Sequence, residues 1–182
     1  MSTPQPTREP GTDVVVGVAL PVPEPWGGHL QRLRTGYGED HAQHIPTHIT
    51  LLPPTPVPES VLEALTGHLS RVAASHPPFE VLLRGTGTFR PVSDVVFVQV
   101  AKGVAGCERL ERAVRSGPVV RELEFPYHPH VTLAHGLAEP VLDRAFLDLA
   151  AFSCGWPATG FRLYAHDGDG LWRTVADYPL TG

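Results

Sequence analysis

The sequence predicts an α+β fold of two lobes related by a pseudo-twofold axis. Each lobe is expected to be a mainly antiparallel sheet with helices on its outer face, and an active cleft is expected between the lobes. Three observations predict it: two stretches carry the same elements in the same order, the steps between matching elements are nearly equal, and each copy holds one short strand that opens His-x-Thr-Leu.

The elements follow one another in this way. Asp13-Val14-Val15-Val16-Gly17-Val18 and Asp94-Val95-Val96-Phe97-Val98-Gln99 are β-branched runs opened by Asp-Val-Val, so both predict strands. Each leads into a helix-like stretch, Trp26 to Arg34 and Val104 to Arg115. Each helix leads to a histidine strand, His48-Ile49-Thr50-Leu51 and His130-Val131-Thr132-Leu133, and the step from Asp to His is 35 positions in one copy and 36 in the other. Val61, Leu62, Leu65, Leu69 and Val72 then recur at helical spacing, as do Leu142, Ala145, Phe146 and Leu149. Strands open at Phe79 (FEVLL) and Phe161 (FRLYA), each 31 positions after its histidine, and a last strand covers about Leu171 to Tyr178. Pro53-Pro54-Thr55-Pro56 and Gly85-Thr86-Gly87 punctuate as turns, and the Pro-rich segment to Pro58 is expected to be a loop before a helix.

Strand, helix, His-strand, helix, strand is therefore used twice, over about 13–90 and 94–180. No linker separates the copies, so 13–182 is expected to be one two-lobed domain. The polar, Pro-rich residues 1–12 hold no apolar signal core and are expected to be a disordered tail. Of the 182 residues 42% are hydrophobic, ordinary for a globular core, and no apolar run reaches membrane-spanning length. A cytoplasmic monomer without membrane contact is the expectation. The net charge of −5 excludes an extended nucleic-acid footprint, which needs a basic face, but leaves room for a small phosphate pocket. Two cysteines without a CxxC predict neither a disulfide framework nor a cysteine zinc site.

The histidine strands carry the chemistry. Residues i and i+2 of a strand share a face, roughly 6.5–7 Å apart. His48 thus points with Thr50 and His130 with Thr132, while Ile49, Leu51, Val131 and Leu133 point to the opposite, packing face. Imidazole both accepts and donates protons near its reference pKa of about 6.5, and a threonine hydroxyl donates to a phosphate oxygen without carrying charge. Two such pairs facing each other hold a phosphate between two hydroxyls with an imidazole on either side. One histidine then takes a proton from the attacking group and the other gives one to the leaving oxygen, a contribution of ~10²–10⁴-fold that needs no metal or other cofactor.

At this point a resemblance is specific. Tyr127-His128-Pro129-His130-Val131-Thr132-Leu133-Ala134, the matching first motif, and the connecting Phe79–Phe89 and Val95–Val98 stretches resemble the 2H phosphoesterase superfamily, in its RNA 2′,3′-cyclic phosphodiesterase and 2′-5′ RNA ligase-like branch. The similarity runs from about Val14 to about Leu180. It implies His48 and His130 as the acid–base pair and Thr50 and Thr132 as phosphate clamps. It also implies a nucleotide or RNA-end substrate, opening of a 2′,3′-cyclic phosphate to a 2′-phosphate, and related 2′-5′ ligation. ADP-ribose 1″,2″-cyclic phosphate is an alternative substrate of the same class, and a non-catalytic nucleotide-binding protein is the competing class. The chain departs from the branch at Ala134-His135-Gly136, where a basic residue is common.

Rival readings attach to other residues. His44, His48, His128 and His130 could form a metal cluster, but no Asp or Glu lies in either motif and the threonines would go unexplained. His29, His41, His68, His76 and His166 are expected to be exposed or capping. Phe89, Tyr127, Tyr164 and Trp172 read as core or cleft wall rather than base-stacking platforms. Arg84, Arg90 and Arg162 read as ordinary solvated arginines rather than partners of a terminal phosphate.

Overall fold

The fold is that of a computed structural model, which describes residues 13–166 and 168–182, apart from the side chains of Asp40 and His41. The expected tail 1–12 lies outside the described residues. Among the described residues eight strands and four α-helices follow in the expected order, with one strand added before the strand at Phe161. These are β1 (Asp13–Pro21), α1 (Trp26–Tyr37), β2 (His48–Pro58), α2 (Leu62–Ala74), β3 (Phe79–Thr88), β4 (Val95–Lys102), α3 (Val104–Arg115), β5 (His130–His135), α4 (Glu139–Asp148), β6 (Ser153–Ala158), β7 (Gly160–His166) and β8 (Arg173–Pro179).

The strands form two four-stranded sheets, β2-β1-β7-β8 and β5-β4-β3-β6, with every pairing antiparallel. The sheets have matching plans. Each has a histidine strand at one edge and the first strand of its own repeat beside it. The third place goes to the strand of the other repeat that opens at Phe161 or Phe79. Thus β3 crosses into the second sheet and β7 into the first, so the lobes interlace. Two helices cross as well, α1 packing against β5 and α3 against β2, while α4 packs on β3, β4 and β5 of the second sheet. One apolar core runs through both sheets, including Val16, Leu30, Ile49 and Leu65 from the first repeat and Val98, Leu110, Val131 and Leu142 from the second.

Two sequence expectations are corrected. The Pro-rich segment is not a loop: β2 runs through it, with Val57 opposite Val14, Pro56 opposite Val15 and Thr55 opposite Val16. Proline removes a ladder donor, which an edge strand tolerates because its outer side has no partner to lose, and β2 is an edge. The Gly85-Thr86-Gly87 stretch is not a turn but an irregularity inside β3. The register with β4 shifts between Leu83 and Thr86, and Gly85 takes φ 65°, a conformation that favours glycine. Strand β6 was not expected; its Cys154, Trp156 and Ala158 alternate inward, but Gly155 and Pro157 hide the β pattern. No described helix is long and apolar enough to cross a membrane.

Candidate active site

Both histidine strands show the alternation expected of them. His48 and Thr50 are half-buried while Ile49 and Leu51 are buried; His130 and Thr132 are half-buried while Val131 and Leu133 are buried. Strands β2 and β5 belong to different sheets, yet they lie against each other. The structure therefore brings the two His-Thr strands side by side.

The imidazoles are anchored in the same way. Nδ1 of His48 lies 2.6 Å from the carbonyl oxygen of Pro46, and Nδ1 of His130 lies 2.7 Å from that of His128. A carbonyl only accepts, so each Nδ1 carries the proton and donates it two residues back. That tautomer leaves each Nε2 with a free lone pair, the form in which imidazole takes up a proton. Burial lowers the pKa of both rings. For His48 it falls to about 4, chiefly by desolvation against the favourable Pro46 contact, with the charges of Arg34 and His130 lowering it further. For His130 desolvation again leads, opposed by the His128 carbonyl and reinforced by the charge of His128. The charge of His130 acting on His48 fits a shared site. With no anion bound, both rings are held in the neutral form at pH 7.

Aromatic rings wall the second histidine. Phe89 meets the His130 ring edge-on at 5.1 Å between centroids, and Phe97 lies tilted over it at the same distance. His128 packs on the same two phenyl rings. Tyr127 ties the strands together, since its hydroxyl donates to the Thr50 carbonyl at 2.8 Å from just before β5. Thr50 stands between two hollows of unequal size. One, about 60 Å³, is lined by His48, Gly17, Leu52, Tyr164 and Trp172. The other, about 620 Å³, is lined by His130, Phe89, Phe125, Tyr127, His128 and His135 among others. Thr132 lines neither of these two.

Phe89 and Tyr127 are cleft wall as expected, and so are Tyr164 and Trp172. The Tyr164 hydroxyl is buried without a hydrogen bond of ordinary geometry, although the nearby Arg162 charge acts on it. Arg90 and Arg162 are not simply solvated, because Arg90 pairs with Asp143 at 2.9 Å and Arg162 with Asp177. Arg84 is exposed. His68 is neither exposed nor a cap of its own helix: its Nε2 lies 2.8 Å from the Ala113 carbonyl and joins α2 to α3. His76 does cap, through the Val72 carbonyl at 2.8 Å, and His41 has its side chain outside the described residues. His44 and His128 are exposed, and among the described residues no three His, Cys, Asp or Glu converge to hold a metal. Sequence reasoning did not single out Arg34. The signal available was positional, since Arg34 stands 14 positions before His48 and Arg115 stands 15 before His130.

Residues 21–170 match the family described as the 2′-5′ RNA ligase superfamily. The chain is 30% identical over 152 residues to a "Putative phosphoesterase" of Bacillus thuringiensis (strain Al Hakam), covering 81% of this chain and 86% of that one. A protein of the same description from Bacillus anthracis (strain CDC 684 / NRRL 3495) matches with the same identity and coverage. Among solved structures, TT0787 of Thermus thermophilus superposes with a TM-score of 0.62 at 22% identity over 92% of this chain and 98% of that one. E. coli LigT complexed with 3′-AMP gives 0.63 at 22% identity over 93% and 99%. LigT complexed with phosphate gives 0.60 at 20% identity over 94% and 99%.

Proposed function

Because this chain belongs to the 2′-5′ RNA ligase superfamily, we propose that it is a metal-independent phosphodiesterase opening 2′,3′-cyclic phosphate ends of RNA or nucleotides to 2′-phosphates. One observation carries the reading. Two imidazoles on adjoining edge strands each spend Nδ1–H on a carbonyl two residues back and keep Nε2 free. That is the equipment for a proton to be taken on one side of a phosphate and delivered on the other. The phosphate groups held by the LigT structures, with 3′-AMP and with phosphate, support the same substrate class.

The proposed reaction runs in this way. The cyclic phosphate sits between the rings, with the hydroxyls of Thr50 and Thr132 as donors to its oxygens. One Nε2 takes a proton from water as the water oxygen bonds to phosphorus. The other imidazole, protonated, gives its proton to O3′ as the P–O3′ bond breaks, leaving the phosphate on O2′. A 5′-hydroxyl in place of water gives a 2′-5′ linkage by the same transfers. Each turnover exchanges the protonation states of the two rings, and solvent resets them. The nucleoside lies in the larger hollow beside His130, whose volume of about 620 Å³ is in the range of a nucleotide site. The hollow beside His48, about 60 Å³, admits only small groups such as water.

The test is steady-state kinetics on a 2′,3′-cyclic nucleotide, with circular dichroism to confirm folding. Either His48→Ala or His130→Ala lowers kcat by at least ~10²-fold with a smaller effect on binding. Thr50→Ala and Thr132→Ala cost less, because each removes one neutral donor and leaves the acid–base pair. A folded His130→Ala protein with wild-type turnover would return that residue to a structural role. Binding of the nucleotide without turnover by the native chain would make the protein a nucleotide-binding module instead.

A further inference from the structure

The segment entering β2 is held from outside the site by a buried arginine. Arg34, on the last turn of α1, is only 4% exposed. Its Nη1 donates to the Ile45 carbonyl at 3.1 Å and to Gln31 Oε1 at 3.3 Å, and its Nε faces Glu39 Oε2 at 3.4 Å. Gln31 Oε1 also accepts the Thr47 hydroxyl at 2.8 Å, and the Thr47 carbonyl accepts from the Val22 backbone at 3.1 Å. Ile45 and Thr47 flank Pro46, and the Pro46 carbonyl is the acceptor that fixes the His48 ring. A guanidinium is suited to this task because its planar fork serves several acceptors at once.

We propose that Arg34 is a positioning residue for His48: it fixes the Ile45–Thr47 segment, and through the Pro46 carbonyl it sets the tautomer and direction of the ring. This rests on His48 being one of the two acid–base groups. Arg34 also acts on His48 through its charge. The charged or titratable groups bearing on the ring are Arg34 from α1 and His130 from β5, and Glu39 is the carboxylate paired with the guanidinium. The second repeat does not copy the device. Arg115 occupies the corresponding place, pairs with Glu111 and donates to the Arg121 carbonyl at 3.0 Å, nine positions ahead of His130. It holds a loop and not the carbonyl that anchors the ring.

The experiment compares Arg34→Met, Arg34→Lys, Thr47→Val and Arg115→Met by NMR titration of the His48 imidazole and by kcat and KM on a 2′,3′-cyclic nucleotide. Arg34→Met is expected to let His48 titrate at a higher pH than in the native chain. It should lower kcat roughly 10-fold, the scale of a modest misplacement of a reacting group, with KM within about 2-fold. Arg34→Lys keeps the charge and loses the fork, so His48 should titrate near its native pH while kcat still falls. Thr47→Val should lower kcat less, and Arg115→Met should leave the His48 titration unmoved. A folded Arg34→Met protein with native titration and native kcat overturns the proposal, and so do equal falls of kcat in the Arg34 and Arg115 variants with no change at His48. If Arg34→Met does not fold, native kcat in both Arg34→Lys and Thr47→Val overturns it. Full turnover in His48→Ala would instead sink the paired-histidine reading. The titration needs no substrate and reads the charge of Arg34 at the ring, while the fall of kcat in Arg34→Lys reads the positioning.

Discussion

At the scale of single residues, the two histidines differ from free imidazole in the direction that burial dictates. Desolvation disfavours the charged ring, so His48 falls to about 4 and His130 falls below its ordinary value. The proposed mechanism needs one ring neutral and one charged, so the rate should be bell-shaped between two macroscopic values that belong to the pair. Both values lie below about 6.5 in the free enzyme, which puts the maximum of kcat/KM on the acid side of the ordinary histidine value. A bound phosphate anion favours imidazolium and raises both, so the maximum of kcat lies at higher pH than that of kcat/KM. Rate profiles from about pH 4 to about pH 9 check this, and coincident maxima above about pH 7 contradict it. Tyr127 offers a second check. Tyr127→Phe deletes the donor to the Thr50 carbonyl. It should cost about 1 kcal/mol, a fall in Tm of about 2–4 °C for a domain of this size, read by thermal melting.

At the scale of elements, position in the sheet decided what composition could not. A run with prolines at 53, 54, 56 and 58 reads as a loop, because proline breaks ladders; it is a strand here because β2 is an edge. The glycines at 85 and 87 read as a turn, because glycine punctuates; they sit inside β3, where an irregular register re-aims the strand. There the Thr86 hydroxyl donates to the Phe146 carbonyl at 2.8 Å and fastens β3 to α4. Gly85→Ala tests this element. A side chain at the left-handed φ of 65° costs about 1–2 kcal/mol, and the new Cβ would stand 3.3 Å from the Ala150 carbonyl. The expected result is a clear fall in urea midpoint with unchanged slope. A midpoint equal to that of the native chain would show that the irregularity has no need of glycine.

At the scale of the whole molecule, the exchange of β3 and β7 makes the repeats mutually dependent. Neither sheet is complete without a strand from the other half of the chain, and the core is continuous across both. Unfolding should therefore be a single cooperative transition. Trp156 lies in β6 of one sheet and Trp172 adjoins β8 of the other. Urea curves from Trp26→Phe/Trp156→Phe and Trp26→Phe/Trp172→Phe proteins, each keeping one tryptophan beside one sheet, should coincide with circular dichroism. Separated midpoints would mean independent lobes. On the proposed mechanism turnover should survive exhaustive chelation, because proton transfer between paired imidazoles needs no Lewis acid. Loss in chelator with restoration by a divalent ion would favour a metal site.

What the sequence by itself determined was local and periodic. Alternation in His48-Ile49-Thr50-Leu51 and His130-Val131-Thr132-Leu133 set which side chains face away from the core, because a strand has period two and only one face is apolar. Repeat spacing set the order of elements, because each helix and strand buries its own apolar face. The tertiary structure decided what depends on distant partners. It alone shows the crossing of β3 and β7 between sheets and the tolerance of proline in β2. The reach of Tyr127 and Arg34 to the strand of His48 is of the same kind. Hydrogen bonds and strand neighbours join residues tens of positions apart, and no local pattern of apolar and polar residues encodes which distant groups meet.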